Sequence, residues 1–206
     1  MSTQPRIGDL SAAERNKRPI FDALADWLVD ARDILEIGSG DGTHARYARE
    51  RLPHARWQTS EAPGHIRGLT AALVDAHDEA RLPSPLALDV RSAWPAQRYD
   101  AIFAANVAHI MHKDAVAAMF TGAASHLVAG GLFCLYGPFF DDDETPGEGN
   151  LAFDRALRSR DPGMGIRRRE ALDALAAAQG CVRVARLVMP SDNRLLIWRR
   201  GADQRE

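Results

Sequence analysis

The chain has 206 residues, 46% of them hydrophobic and 26% charged, with a net charge of −2. That length suits one α/β domain whose core needs neither disulfides nor metal. The near-neutral balance excludes the basic field of a general nucleic-acid binder, and 16 Gly with 11 Pro exclude collagen-like and low-complexity classes.

Residues 1–18 are polar and read as an irregular segment. They carry Arg6, Asp9, Glu14, Arg15, Lys17 and Arg18 with no apolar run behind them, which argues against a secretory leader. A helix is expected over 19–29: Pro19 suits a first turn, and Ile20, Phe21, Leu24, Trp27 and Leu28 share one face. Residues 34–37 form a short strand ending in glycines, 43–51 a helix, 56–60 a second strand, 65–80 a long helix and 86–90 a third strand. Residues 99–105 form a fourth strand with the continuous apolar run of one covered on both faces. Residues 115–140 lack Asp, Glu, Lys and Arg and are long enough to cross a bilayer. Gly130-Gly131 divides them, however. Val116, Met119, Phe120, Ala123 and Leu127 have helical spacing and 132–136 is strand-like, so the stretch reads as helix, glycine turn and buried strand. An acidic Gly/Pro loop follows over 141–149, then helices over 151–159 and 168–179. Strands over 181–189 and 194–198 are joined by Pro190-Ser191-Asp192-Asn193. Cys134 and Cys181 lie in apolar stretches, where a reduced, buried pair suits a cytoplasmic protein.

This alternation predicts an α/β, doubly wound, mostly parallel seven-stranded sheet. It ends in an antiparallel hairpin, because a few turn residues cannot make a parallel crossover. The organisation is a polar segment over 1–18, a single domain over 19–200 and a tail over 201–206.

Chemistry concentrates at strand ends. Gly38-Ser39-Gly40-Asp41-Gly42 follows the first strand and opens a helix, where glycines let the backbone turn tightly and approach a ligand. Its spacing is G-x-G-x-G, not the G-x-G-x-x-G of dinucleotide sites, and by itself also fits a plain strand-to-helix turn. Glu61 stands 19 residues after Gly42, where a carboxylate can accept two ribose hydroxyls. Asp89 in Leu88-Asp89-Val90 can accept from an adenine amine, with Val90 against the ring. Asn106 follows the fourth strand. Ligands of open α/β sheets bind at the carboxyl ends of the strands, and all four elements fall there.

These residues resemble a class I methyltransferase that uses S-adenosylmethionine (SAM). The carriers are Glu36 with Gly38, Gly40 and Gly42; Glu61; Leu88-Asp89-Val90; Asp100 with Asn106; Gly130-Gly131; and the closing hairpin. More narrowly, the chain resembles the methyltransferase-like protein 26 family. That match is carried by Ala13-Glu14-Arg15-Asn16-Lys17 with Pro19-Ile20, Trp94-Pro95, Tyr99 to Phe103, His109-Ile110, Leu135-Tyr136-Gly137-Pro138, Asn150, Phe153-Asp154 and Met189-Pro190. It spans roughly 12–200. Glu61 stands where the pattern usually has Asp, and Asp41 where it has a neutral residue. The resemblance implies a cofactor site of Glu36, Gly38, Ser39, Gly40, Gly42, Glu61, Asp89, Val90 and Asn106.

The expected activity is methyl transfer from SAM to a small-molecule or protein acceptor. The alternative is a SAM-binding module without chemistry that acts through a partner. A nicotinamide oxidoreductase is disfavoured by the glycine spacing and the hairpin. The cofactor carries the activation, so the protein mainly positions and desolvates. His109, three residues past Asn106, is the candidate base, with a free pKa near the working range; packing under the next helix is its plainer role. Asn16 and Lys17 are expected over the cofactor mouth, and Tyr136 and Phe139 as an acceptor wall or as core. His44 reads as structural. His109-x-x-His112 with Asp114 lacks a convincing third ligand, so no metal is expected, and neither is a nucleic-acid or membrane partner. The acids of 141–148 and the arginines of 155–169 read either as two solvated faces or as a mobile lid with an anion-facing rim.

Overall fold

The computed structural model describes residues 11–202. The start of the polar segment (1–10) and the end of the tail (203–206) lie outside the described residues. Helix α1 spans Ala12–Leu24, not 19–29. Ser11 caps it by accepting the Glu14 amide on its side chain, which puts Pro19 inside the helix. Pro19 withholds one helical N–H there. Ile20, Phe21 and Leu24 nevertheless bury completely or nearly so, with Phe21 5.5 Å from Trp57 and 6.1 Å from Phe103. Burying such side chains is worth roughly 1.5–3 kcal/mol each, which outweighs the helix penalty of one proline.

The elements after α1 are β1 (Asp33–Ile37), α2 (Thr43–Arg51), β2 (Arg56–Glu61), α3 (Ile66–Leu73), β3 (Leu86–Ala87), β4 (Tyr99–Ala105), α4 (Lys113–His126) and β5 (Leu127–Gly137). Then come β6 (Phe139–Phe140), α5 (Glu148–Arg160), β7 (Arg167–Arg168), α6 (Arg169–Ala178), β8 (Cys181–Met189) and β9 (Asn193–Arg200). Seven strands form one sheet in the order β3-β2-β1-β4-β5-β9-β8. Every pairing is parallel except those of β9, which runs against β5 and β8. The doubly wound sheet with its closing hairpin is as the alternation predicts.

Side-chain alternation on the central strands feeds a core on each face. On one side Ile34, Phe103, Cys134, Leu195 and Ile197 meet α1, α2 and α3. On the other Leu35, Ile102, Phe133, Leu135 and Trp198 meet α4 and α6. Asp100 ties the start of β1 to β4 by accepting the Arg32 and Asp33 amides at 2.7 and 2.9 Å.

Further expectations need correction. The long helix over 65–80 is shorter, Ile66–Leu73, and ends in a single 3-10 turn, Val74–Ala76. Gly130-Gly131 lies within β5, which follows α4 directly; Gly130 takes a positive φ of 78° and Gly131 fits closely against the Asp100 carbonyl. The third strand stops at Ala87, so Asp89 and Val90 stand on the loop beyond it. Phe139–Phe140 pairs in parallel with Arg167–Arg168, a small second sheet that two-residue strands give no pattern to predict. No helix among the described residues is long and apolar enough to cross a membrane.

Candidate functional site

A cavity of about 340 Å³ opens at the carboxyl ends of β1, β2 and β3 and is closed by the turn after β4. This volume lies in the range of small-molecule sites. Gly38, Glu61, Asp89 and Val90, far apart in the chain, all line it, together with Ile110, Met111 and His112.

The glycine loop is built for close approach. Gly38, Gly40 and Gly42 have φ of 69°, 58° and 76°, the left-handed region that only glycine enters without strain. A side chain at Gly38 would meet Val107 at 2.6 Å and one at Gly42 would meet Leu73 at 2.5 Å, whereas Gly40 faces open space. Glu61 closes the loop from the next strand: Oε2 accepts the Gly40 amide at 2.9 Å and Oε1 the Ala62 amide at 2.8 Å. A carboxylate has about four lone-pair positions, so it retains acceptor capacity toward the cavity. Asp89 is more committed. Its two oxygens take the Arg91 backbone amide and both ends of the Arg91 guanidinium at 3.0–3.2 Å, which hold its pKa below the usual carboxylate value. The Trp94 indole fixes this loop by donating to the Val90 carbonyl at 3.1 Å, and it lies so close over Gly122 that no side chain fits there.

Glu36 and Ser39 point beneath the loop, away from the cavity. Glu36 is 1% exposed; Oε2 accepts the Trp57 indole N–H at 2.9 Å, the Ser39 hydroxyl also bonds the carboxyl, and Oε1 lies 3.6 Å from His44 Nδ1. Burial raises the Glu36 pKa from 4.5 to about 7. His44 is held neutral by burial, at about 4, and its Nε2 lies 2.8 Å from Asn16 Oδ1. His44 is thus buried beneath the loop rather than in the cavity. Asn16 in turn reaches the hydroxyl of Tyr136, which also bonds the Asn193 side chain. A polar chain thus runs from Trp57 through Glu36, His44 and Asn16 to Tyr136.

Tyr136, Asn16 and Asn106 line a second cavity, about 130 Å³, with Arg15, Pro19, Ser191 and Asn193. It lies on the far side of the β4 exit from the larger one. Asn106 adopts φ 59° and donates its amide to the Tyr136 carbonyl at 2.9 Å. Lys17, expected beside Asn16, is turned away: it pairs with Glu14 at 2.7 Å and lies over the Tyr47 ring, because residues one apart on a helix face different directions. Phe139 is buried in the core beside α4, and the tip of its ring reaches Gly137, where a methyl would lie 3.6 Å from it.

His109 is buried against Phe153, ring centroids 5.2 Å apart. A methyl placed on Gly137 would lie 3.9 Å from both His109 Nδ1 and Asn106 Oδ1, so the two polar groups converge. Its pKa is not near the working range: burial and the nearby Arg167 push it down to about 4. Arg167, only 8% exposed, escaped sequence reasoning, since an arginine in a basic run reads as surface. Its guanidinium donates to the carbonyls of Ala108 (3.0 Å), Met111 and Gly163 (2.9 Å), while the Gly165 amide donates to the His109 carbonyl (2.9 Å). Arg167 at the start of β7, with Gly165 before it, therefore braces the turn after β4.

Most of the acidic loop and the arginine-rich segment is exposed, as solvated faces would be (Asp142, Asp143, Glu144, Glu148, Arg155, Arg158, Arg160 and Arg168), but the two are tied together at Asp141 and Arg169. Asp141 is buried, chelated by Arg169 at 2.9 Å and paired with Arg186 at 2.6 Å, and both hold its pKa well below the usual carboxylate range. Glu144 pairs with Arg186 and with Arg194 at 2.5 Å.

The family model described as protein of unknown function (DUF938) matches residues 9–200. Among solved structures, the chain is similar to an O-methyltransferase family protein from Burkholderia thailandensis, with TM-score 0.79 at 15% identity over 94% of this chain and 58% of that one. It is similar to the mitomycin 7-O-methyltransferase, with TM-score 0.75 at 19% identity over 92% and 57%. It is also similar to human N-acetylserotonin methyltransferase in complex with SAM, with TM-score 0.71 at 13% identity over 92% and 55%. The chain thus spans less than two thirds of each. At these identities the likeness is one of fold.

Proposed function

We propose that this chain, which belongs to the DUF938 family, binds SAM and transfers its methyl group to an acceptor at the exit of β4. The observation that carries the reading is that Gly38, Glu61, Asp89 and Val90, chosen from the sequence for adenosine recognition, all line one 340 Å³ cavity. The residues fit the cofactor chemically. Glu61 offers ionised acceptors for ribose hydroxyls, Asp89 an acceptor for an exocyclic amine, Val90 and Ile110 apolar surface for a flat ring, and the open face at Gly40 allows close backbone approach.

When bound, SAM supplies a sulfonium-activated methyl group. The protein's part is positioning and water exclusion. The 106–111 turn, held by Arg167, fixes Asn106 and His109 on the acceptor side. His109 Nδ1 can accept a hydrogen bond, or a proton, from an acceptor beside Gly137. With a pKa of about 4 it is a weak base, so it suits an acceptor whose proton is lost late, or orientation of the acceptor.

Calorimetry and thermal melting with SAM, its demethylated product S-adenosylhomocysteine and NAD test this reading. Ligand at about a hundredfold its Kd adds roughly 2.7 kcal/mol, a rise in Tm of roughly 5–10 °C for this size. Binding of the first two and not NAD is expected. No heat and no shift up to millimolar SAM refutes it. A labelled-methyl screen of metabolite pools and cell extract then separates transfer from a binding module.

A further inference from the structure

The larger cavity has two walls that the sheet does not hold together. One is the loop after β3, which supplies Leu88, Asp89, Val90 and Arg91. The other is the entry to α4, which supplies His112 and Ala115. β3 ends at Ala87, so no strand pairing fixes Asp89 or Val90. The loop is fixed instead at its far end, by Trp94.

Trp94 is pegged to α4 while it holds the loop. Its indole N–H donates to the Val90 carbonyl at 3.1 Å. Its ring lies over Gly122, where a Cβ would stand only 2.1–2.5 Å from three indole atoms. The same ring stacks on His126, with centroids 5.2 Å apart and 21° between the planes. His126 is oriented in turn by donating Nδ1 to the Gly122 carbonyl at 2.8 Å. Ala115, Gly122 and His126 stand at i, i+7 and i+11, on one face of α4. That face lines the cavity at its start and receives the indole roughly 10 Å further along the axis. A helix interior disfavours glycine; here its missing side chain is the socket for the ring.

We propose that Trp94 is the positioning residue of the base subsite: seated on Gly122, it sets how far Asp89 and Val90 stand from the α4 wall, and with that the preference for a 6-aminopurine. The proposal rests on the SAM reading of this cavity. Asp89 Oδ2 accepts Arg91 Nη2 at 3.1 Å and keeps a second lone pair for an exocyclic amine. A 6-oxo ring would set an acceptor against that acceptor.

Two variants reach the peg from opposite sides. Trp94→Phe removes the indole N–H and keeps an aromatic ring; Gly122→Ala fills the socket. Neither residue lines the cavity. Calorimetry compares S-adenosylhomocysteine with S-inosylhomocysteine, whose ring carries a carbonyl in place of the amine. Wild type should prefer the first by roughly tenfold or more. Both variants should cut that preference to within about threefold, chiefly by weakening the adenosine ligand. A merely structural role moves both ligands equally. Equal weakening, an unchanged preference in either variant, or a wild type indifferent to the amine overturns the proposal. Hydrogen exchange of the ligand-free protein reads the loop directly. The Arg91 and Ser92 amides, bonded to Asp89 at 3.0 and 2.9 Å, should exchange roughly tenfold faster in both variants, with β4 and β5 unchanged. Loop amides as slow as in wild type overturn it, as does acceleration shared equally by β4 and β5. Wild type that binds neither nucleoside refutes the SAM reading and with it the base preference. Faster exchange confined to the loop would then keep Trp94 as the residue that positions it, and its absence would remove both.

Discussion

Glu36→Gln isolates one buried ionisation. The carboxyl is enclosed by Trp57, Ser39 and His44, and burial lifts its pKa from 4.5 to about 7. A carboxyl whose folded pKa is raised binds a proton in the folded state that the unfolded state has already lost. Its effect is therefore absent below pH 4.5, grows as a destabilisation as pH rises to about 7, and is constant above that. A shift of that size corresponds to about 3 kcal/mol at 1.36 kcal/mol per unit. Glutamine does not titrate; its carbonyl can still accept from the Trp57 indole and its amide can donate to His44 Nδ1. Relative to wild type, Glu36→Gln should therefore gain about 3 kcal/mol between pH 4.5 and pH 8, or roughly 6–12 °C in Tm at about 2–4 °C per kcal/mol. Paired thermal melts at the two pH values measure it. The absolute curves fall in acid for both proteins, because His44 and His109, lowered to about 4, bind protons more readily when unfolded and lose stability as pH drops from 6.5 to 4. Only the difference between variants carries the Glu36 contribution. A difference in Tm between the two proteins that changes by less than about 2 °C across this range would refute the raised pKa of the buried Glu36.

Glu61→Ala should weaken S-adenosylhomocysteine by roughly ten- to a hundredfold and Asp89→Ala by less, since Glu61 also anchors the Gly40 amide whereas Asp89 is already held by Arg91; calorimetry on both decides, and wild-type affinity in Glu61→Ala counts against the ribose role. His109→Ala should keep cofactor affinity within about twofold and lower turnover by roughly a hundredfold once an acceptor is in hand. Because His109 is lowered to about 4, the wild-type rate should show no limb from this group above about pH 5. A stable His109→Ala protein with unchanged turnover removes it from the chemistry.

Much of this molecule was legible one residue at a time. The strand-helix alternation, the G-x-G-x-G loop and the acids at strand ends depend on local periodicity and backbone freedom. A parallel sheet then carries each strand end to the same edge whatever the side chains are. That is why Gly38, Glu61, Asp89 and Val90 could be named together before their cavity was seen. What tertiary structure alone decided are matters of partner and direction. α1 runs through Pro19 because Phe21 finds Trp57 and Phe103 on two different strands. Asn16 faces His44 and Tyr136 while Lys17, one residue on, faces Glu14. Asp141 and Arg169 neutralise each other across 28 positions, and Arg167 is buried by carbonyls of a turn more than 50 residues earlier. Local sequence sets which face of an element is apolar. The charge state and role of a polar side chain depend on what the fold brings within a few ångströms, and no periodicity in the chain encodes that distance.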